Sequence, residues 1–337
     1  MKNIEDVIKD IKIAPSTYQE LINIALRRAL KSEAGKLKSN LKRAEILKIR
    51  RITDYVSSYM RDIALKSPFL KELHPFYREL ISLMINRDEY RMCLSRIYKA
   101  SIIVRKISSE EIRRISKAKG NREILTYRRS FIGRVSSVLR KLDKCFKIIR
   151  RYQLEMLKLP SIRTDVPSII VTGAPNVGKS SLLRVLTKAK PEIKPYPFTT
   201  KNIIVGHLET GSIPIQIIDT PGLLDRPLEE KGKIELRAIV ALKHLKGAIM
   251  FVYDPSETCG FPLEYQHKIY QSICKWFPNT PKLIVGNKFD LLNEDSISNF
   301  LKVTGFNREK IICVSAISGE NINLLKDRIA NLIKNTN

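Results

Sequence analysis

The run Gly173-Ala174-Pro175-Asn176-Val177-Gly178-Lys179-Ser180 has the composition and spacing of a phosphate cradle. It follows a short apolar stretch, 168–172, and opens a helical one, which is the context such a loop requires. Glycines let the chain curl until backbone N–H groups surround phosphate oxygens, and the start of a helix adds partial positive charge. In this arrangement Lys179 bridges β- and γ-phosphates, and the Ser180 hydroxyl ligates Mg²⁺ with Ser181 beside it on the first turn. The loop by itself leaves ATP and GTP open.

Four further segments narrow the choice. Asp219-Thr220-Pro221-Gly222 lies 40 residues after Lys179. There Asp219 is suited to hold Mg²⁺ through water, and the Gly222 N–H to meet a γ-phosphate and move when it leaves. Asn287-Lys288-Phe289-Asp290 ends a later apolar run. A carboxylate at Asp290 accepts hydrogen bonds from guanine N1–H and N2–H₂; adenine offers no matching pair, so this residue selects GTP over ATP. Ser315-Ala316-Ile317 is spaced to bring a backbone N–H to the guanine oxygen. Between the cradle and Asp219 lies Pro195-Tyr196-Pro197-Phe198-Thr199-Thr200-Lys201, where a threonine would close over Mg²⁺ and the γ-phosphate. Thr200 is the first choice and Thr199 the second. The expected ligands are GTP or GDP with Mg²⁺. Lys179, Thr200, Gly222 and Asn176 are the expected catalytic set, and Ser180, Thr200 and Asp219 the metal set.

The residue after Gly222 is Leu223. Many small GTPases carry glutamine there to orient the attacking water, which leucine cannot do, and no arginine finger is identifiable. Slow intrinsic hydrolysis follows. Related GTPases with asparagine at the position of Asn176 often use bound K⁺ in place of a cationic finger, so K⁺ stimulation is expected too.

Short β-branched runs must position these segments. Strands are expected at about 168–172, 203–208, 214–219, 247–254, 282–287 and 310–314. Helices between them fit 179–188, 233–245, 262–276, 295–303 and 321–333. That alternation predicts a doubly wound, mostly parallel sheet with ligands at the carboxyl ends of its strands. Residues 1–158 read instead as helix: about 3–12, a helix from a Thr17/Glu20 capping box to about 30, then 33–66, two helices over 76–107, and one long helix over 121–158. On that last helix Val135, Val138, Leu139, Leu142, Phe146 and Ile149 share an arc of about 100°. Arg140, Lys141, Lys144, Lys147 and Arg151 lie opposite, forming a cationic ridge on a helix of roughly 57 Å. The architecture is therefore α + α/β: a basic N-terminal helical bundle, 1–160, followed by a P-loop GTPase domain, 161–337.

The charge supports the division. The chain has 337 residues with formal charge +27, and residues 1–160 hold 38 Lys+Arg against 17 Asp+Glu. Residues 91–151 hold 19 against 4, with Arg113, Arg114, Lys117, Lys119, Arg122, Arg128 and Arg129 crowded around Gly120. A polyanionic partner is the natural reading, and A-form RNA is read mainly by shape and phosphate. No zinc, RNP or KH signature is present, and DNA is not expected. The five cysteines form no cluster, matching a reducing compartment. No apolar run approaches the ~18–20 residues of a membrane span and the charged N-terminus is no signal peptide, so no membrane partner and a cytoplasmic location are expected.

The strings GAPNVGKSSLL, KPYPFTTK, DTPGLLDRPLEE, IELRAIVALKHL, DPSETCG and NKFD together resemble the nucleolar-type GTP-binding protein family. These are Obg-related GTPases of ribosome assembly. The resemblance implies a GTPase switch bound to ribosomal RNA on precursors of the large subunit. Because the chain stops about 17 residues after Glu320, it suggests an archaeal-type short form. Two other readings remain: a nucleotide-gated RNA placeholder with negligible turnover, and a translation-associated regulator on mature ribosomes like the Drg branch. Oligomeric state is open.

Overall fold

The computed structural model describes residues 4–31, 41–187, 191–197, 202–210 and 213–335. Packing divides the chain into two units, one of residues 1–73 and 84–157, the other of 74–83 and 158–337. This boundary falls three residues before the expected one. More notably, a segment from the N-terminal half belongs to the second unit.

The helices of the N-terminal half are α1 (Ile4–Asp10), α2 (Tyr18–Lys31), α3 (Leu41–Lys66), α4 (Pro75–Met84), α5 (Arg87–Lys117), α6 (Asn121–Lys141) and α7 (Asp143–Met156). All but α4 form the first unit. Apolar residues at helical spacing make its core: Ile49, Ile52, Val56, Met60 and Ile63 on α3, and Leu94, Ile97, Val104 and Ile107 on α5, are buried. Each such side chain contributes about 1.5–3 kcal/mol of transfer free energy. The start of α2 departs slightly from a capping box. Glu20 N–H donates to Thr17 Oγ1 at 3.3 Å, but the Glu20 carboxylate accepts from Ser16 N–H at 2.7 Å. The helix expected over 33–66 begins, among the described residues, at Leu41.

The single helix expected over 121–158 is two helices. Leu142 N–H bonds to Leu139 O, a three-residue closure that tightens the turn and ends α6. The break has a use. Asp143, first in α7, accepts the Tyr18 N–H at the start of α2 at 2.8 Å and pairs with Lys147 at 2.8 Å. The division of faces survives: Val135, Leu139, Leu142, Phe146 and Ile149 are buried and Val138 half-buried, while Arg140, Lys141, Lys144, Lys147 and Arg151 are exposed.

Several cations serve packing rather than the surface. Fully buried Glu111 on α5 accepts from Arg134 at 2.8 Å and Ser130 at 3.0 Å on α6, and from Arg114 at 3.4 Å. Glu45, also buried, pairs with Lys48 at 3.0 Å and Arg128 at 3.4 Å. Arg114 and Arg128 thus leave the cluster expected around Gly120 with a partly internal role.

The second unit holds a seven-stranded sheet: β1 (Ser168–Thr172), β2 (Glu192–Pro195), β3 (Asn202–Thr210), β4 (Ile213–Asp219), β5 (Gly247–Tyr253), β6 (Lys282–Gly286) and β7 (Ile311–Cys313). Its order is β2-β3-β4-β1-β5-β6-β7. Pairing is parallel from β4 through β1 to β7 and antiparallel for β2–β3 and β3–β4. β2 was not expected: its sequence, Glu-Ile-Lys-Pro, is mostly exposed and shows no apolar alternation. The helices are α8 (Lys179–Leu186), α9 (Lys233–Val240), α10 (Leu263–Trp276), α11 (Glu294–Thr304) and α12 (Ile322–Lys334). The helix expected to reach 245 ends at Val240 and continues as a 3₁₀ turn, Ala241–His244. Strands β2 to β4 lie on one side of β1 and β5 to β7 on the other, so the loop after β1 stands at the switch point where open sheets bind ligands. α4 adds Phe76, Tyr77, Leu80 and Ile81 to this unit's core. The Tyr77 hydroxyl accepts the Ile162 N–H at 2.7 Å and lies 2.9 Å from Pro160 O. No helix among the described residues is long and apolar enough to cross a membrane.

In the first unit Gln153, fully buried on α7, accepts the Ala14 N–H at 2.8 Å and donates to Lys12 O and Ser67 Oγ at 3.0 Å each. A Gln153→Leu substitution strands the Ala14 donor and two acceptors. We expect a loss of about 1–3 kcal/mol, read as an earlier urea midpoint for the helical signal in the full chain.

Candidate functional site

The loop after β1 is shaped by glycines that nothing else can replace. Gly173 has φ +141°, and a Cβ there would lie 2.2 Å from Val252 O; Gly178 has φ +93°, and a Cβ there would lie 2.1 Å from Asn287 Nδ2. Asn176, exposed, also takes a left-handed backbone at φ +62°, which asparagine tolerates better than most residues. Lys179 opens α8. Its ammonium is buried and donates to Gly173 O at 2.8 Å and Ala174 O at 2.6 Å. Burial pulls its pKa below the usual lysine range, with nearby Asp219 opposing.

Asp219, at the end of β4, is fully buried and accepts from Ser180 Oγ at 2.5 Å. Burial raises its pKa above the usual carboxylate range, against the Ser180 hydrogen bond and the Lys179 charge. Its other oxygen, Oδ1, is buried with no hydrogen-bond partner. A buried carboxylate with a spare acceptor beside a serine hydroxyl fits a divalent cation such as Mg²⁺, whose ligands are oxygens. The turn that follows is stitched to β1. Thr220 Oγ1 donates to Val171 O at 3.0 Å, and Leu224 O accepts from Thr172 Oγ1 at 2.6 Å. Leu223 and Leu224 are fully buried, so Leu223 presents nothing polar. Gly222 takes φ +74°, and its carbonyl accepts from the Lys231 ammonium at 3.3 Å.

The segments expected to select guanine sit after β6 and β7. Asn287 donates through Nδ2 to Val177 O at 2.8 Å, and its Oδ1 accepts the Ala316 N–H at 3.1 Å. The side chain therefore joins the phosphate loop to the Ser315–Ile317 segment. In this structure the Ala316 N–H, expected at the guanine oxygen, is engaged by Asn287. Ser315, fully buried, accepts the Ile317 and Ser318 N–H groups at 3.3 and 3.0 Å, and Ile317 is exposed. Lys288, in a left-handed conformation at φ +60°, donates to Asp254 Oδ2 at 2.6 Å and Thr258 Oγ1 at 2.9 Å. Asp290 lies in the exposed turn Phe289–Leu291.

Direct contacts thus join Val177 and Ala316 through Asn287, Ser180 to Asp219, and Lys179 to Gly173 and Ala174. Phe198, Thr199 and Thr200 lie outside the described residues. Tyr196, just before them, is buried and donates its hydroxyl to Ala238 O on α9 at 2.8 Å.

Two residues escaped the sequence reading. Asp254, at the end of β5, is fully buried yet accepts from Ser256 N–H, Ser256 Oγ, Thr258 Oγ1, Cys259 N–H and Lys288. Burial raises its pKa, but the Lys288 and Ser256 hydrogen bonds outweigh that and leave it below the usual range. An acid at the carboxyl end of a central strand was the available signal. Lys231 is the second. It precedes α9, so neither its pairing with Glu235 at 2.9 Å nor its burial was readable as a helical spacing.

A family model described as the NOG1 N-terminal helical domain matches residues 9–163, and one described as Nucleolar GTP-binding protein 1 (NOG1) matches 233–290. A model described as Ferrous iron transport protein B matches 167–254. The Nucleolar GTP-binding protein 1 of Eremothecium gossypii is 30% identical over 345 residues, covering 97% of this chain and 54% of that protein. An uncharacterized protein of Methanocaldococcus jannaschii is 38% identical over 252 residues, 74% of this chain and 70% of that one. A Plasmodium falciparum crystal structure described as a nucleolar GTP-binding protein 1 is 36% identical, covering 52% of this chain and 91% of that one with a TM-score of 0.46. The chain spans about half the length of the curated relatives that carry the nucleolar name. Two models of one family, matched in order across both halves of the sequence, and relatives along nearly its whole length lead to one conclusion: the chain belongs to the nucleolar GTP-binding protein 1 family.

Proposed function

We propose that this protein binds and hydrolyses GTP and acts as a switch in assembly of the large ribosomal subunit, bound to ribosomal RNA. The observation that carries the nucleotide reading is the Asn287 side chain, which ties a phosphate-shaped loop to the segment suited to a guanine edge. In the reaction, water oxygen attacks the γ-phosphorus. The bond to the bridging oxygen breaks, and that oxygen leaves with the electron pair as part of GDP. Mg²⁺, held by Ser180 and by Asp219 through water, supplies charge neutralisation at the phosphate oxygens when bound. Lys179 leaves its loop carbonyls for the β- and γ-phosphates, and loop N–H groups share the remaining charge.

Leu223 is buried, so no side chain after Gly222 orients the water. Intrinsic turnover is accordingly slow, no faster than ~10⁻³ s⁻¹. Asn176, exposed at the mouth of the loop, is suited to hold K⁺ as a partial substitute for a cationic finger. Support for RNA comes from charge. Arg91, Arg96, Lys99 and Lys106 on α5, and Lys141 and Lys144 at the α6–α7 break, are exposed on a chain of formal charge +27. Cations along helices follow phosphate backbones.

Asp290→Asn is expected to weaken guanine nucleotide binding by about 10²-fold or more and to admit xanthine nucleotide. Unchanged guanine affinity in a titration would remove Asp290 from base recognition. Exchanging K⁺ for Na⁺ should slow single-turnover hydrolysis by about tenfold; equal rates would end the K⁺ assignment. Co-sedimentation with large-subunit precursors should be stronger with a non-hydrolysable GTP analogue than with GDP. Replacing Lys141, Lys144 and Lys147 by Gln should flatten its log–log salt slope by ~2–3. Binding to particles without any stimulation of hydrolysis would favour a placeholder role. Preference for mature subunits would favour a translation-associated one.

A further inference from the structure

Lys231 has a side chain with no exposed surface, while its partner Glu235 is 24% exposed. Its ammonium has two partners, Glu235 Oε1 at 2.9 Å and Gly222 O at 3.3 Å. Taking an ammonium wholly out of water is costly, and a single carboxylate with a single carbonyl is sparse compensation. A lysine that only decorated this turn would keep its charge in solvent. Here the charge is spent on the carbonyl of the very glycine whose N–H is suited to meet a γ-phosphate.

Gly222 sits at φ +74°, a conformation from which glycine rotates more freely than any other residue. Only its own φ and ψ separate the N–H expected to meet a phosphate from the carbonyl that Lys231 holds. Fixing one end therefore restrains the other. Glu235, the second partner, lies in the first turn of α9. The same eight-residue helix receives the Tyr196 hydroxyl on Ala238 O at 2.8 Å, from the segment that leads into Thr199 and Thr200. Gly222, through Lys231, and Tyr196 are thus both tied to α9. Arg237 on α9 also lies 3.6 Å from Glu79 on α4.

We propose that Lys231 is a positioning residue for the γ-phosphate response: it preorganises Gly222 through its carbonyl and couples it through Glu235 to α9. The inference rests on the GTPase reading above. A freed Gly222 must be ordered anew each time a γ-phosphate is engaged, whereas GDP makes no such demand. Loss of the lysine charge should therefore act on GTP and spare GDP.

The test uses the full chain with fluorescent GDP and a fluorescent non-hydrolysable GTP analogue. Lys231→Met keeps the stem and removes the charge, and Lys231→Arg keeps the charge. In Lys231→Met, analogue affinity should fall about tenfold and single-turnover hydrolysis by at least as much, with GDP affinity within about twofold of wild type. Glu235→Gln should move the same ratio in the same direction, and Lys231→Arg should restore most of it. Equal losses for both nucleotides, or no loss for either, would overturn the proposal, because a purely structural lysine has no reason to distinguish them. If Lys231→Met fails to fold, the Glu235→Gln ratio decides alone. A wild-type protein that binds neither nucleotide would instead overturn the GTPase reading itself.

Discussion

Both ends of one amide hold the candidate site together. Asn287 reaches Val177 O with its nitrogen and receives the Ala316 N–H on its oxygen. The strands that lead into Val177 and Ala316, β1 and β7, are not neighbours, since β5 and β6 lie between them. The sheet spaces the strands, but the loops beyond their carboxyl ends share no ladder, and there a side chain makes the link. The requirement spreads outward. Gly178 has to lack a Cβ because Asn287 occupies that space, and Asn287 is itself buried, where an unmade hydrogen bond costs about 1–3 kcal/mol.

Around that brace the structure buries four charges, and their surroundings separate two kinds of use. Asp254 has its lone pairs filled by five donors, so it has nothing left to offer a ligand. It fixes the 254–259 loop and the reach of Lys288. Asp219 keeps one oxygen unpartnered, and Lys179 rests on two loop carbonyls that a phosphate can replace. Lys231 stands between these cases, committed to a carboxylate but holding a carbonyl on a mobile type of residue. In a low-dielectric setting each of these interactions is stronger than it would be in water, and each missing partner is more costly.

The sheet was legible in the sequence because its central strands are continuous apolar runs punctuated by glycine and aspartate. β1 falls on its expected bounds, 168–172, and β4 and β6 lie within a residue of theirs. β2 was not legible, since a short, polar edge strand carries no periodic signal. The long helix over 121–158 failed for a different reason. Periodicity is blind to one tightened turn, and what ends α6 is the bond pattern at Leu142, rewarded by the contact of Asp143 with α2 across 125 residues of sequence. The motif residues were legible as types and spacings, but their internal partners were not. That Ala316 bonds to Asn287, or that Lys231 is buried, depends on tertiary neighbours. Likewise, Arg114, Arg128 and Arg134 count as surface charge until buried Glu45 and Glu111 are seen beneath them.

The assignment of α4 to the second unit has a consequence for how the protein is made. Phe76, Tyr77, Leu80 and Ile81 are synthesised well before the sheet of the unit that buries them, whose last strand ends at Cys313. At 5–20 residues per second, roughly 10–50 s pass between emergence of the helix and completion of that sheet. Throughout this interval the nascent chain carries an apolar stripe awaiting its partner. A fragment beginning at 161 never receives that stripe at all, so no contiguous stretch of the gene encodes the second unit without also encoding residues 84–157 of the first.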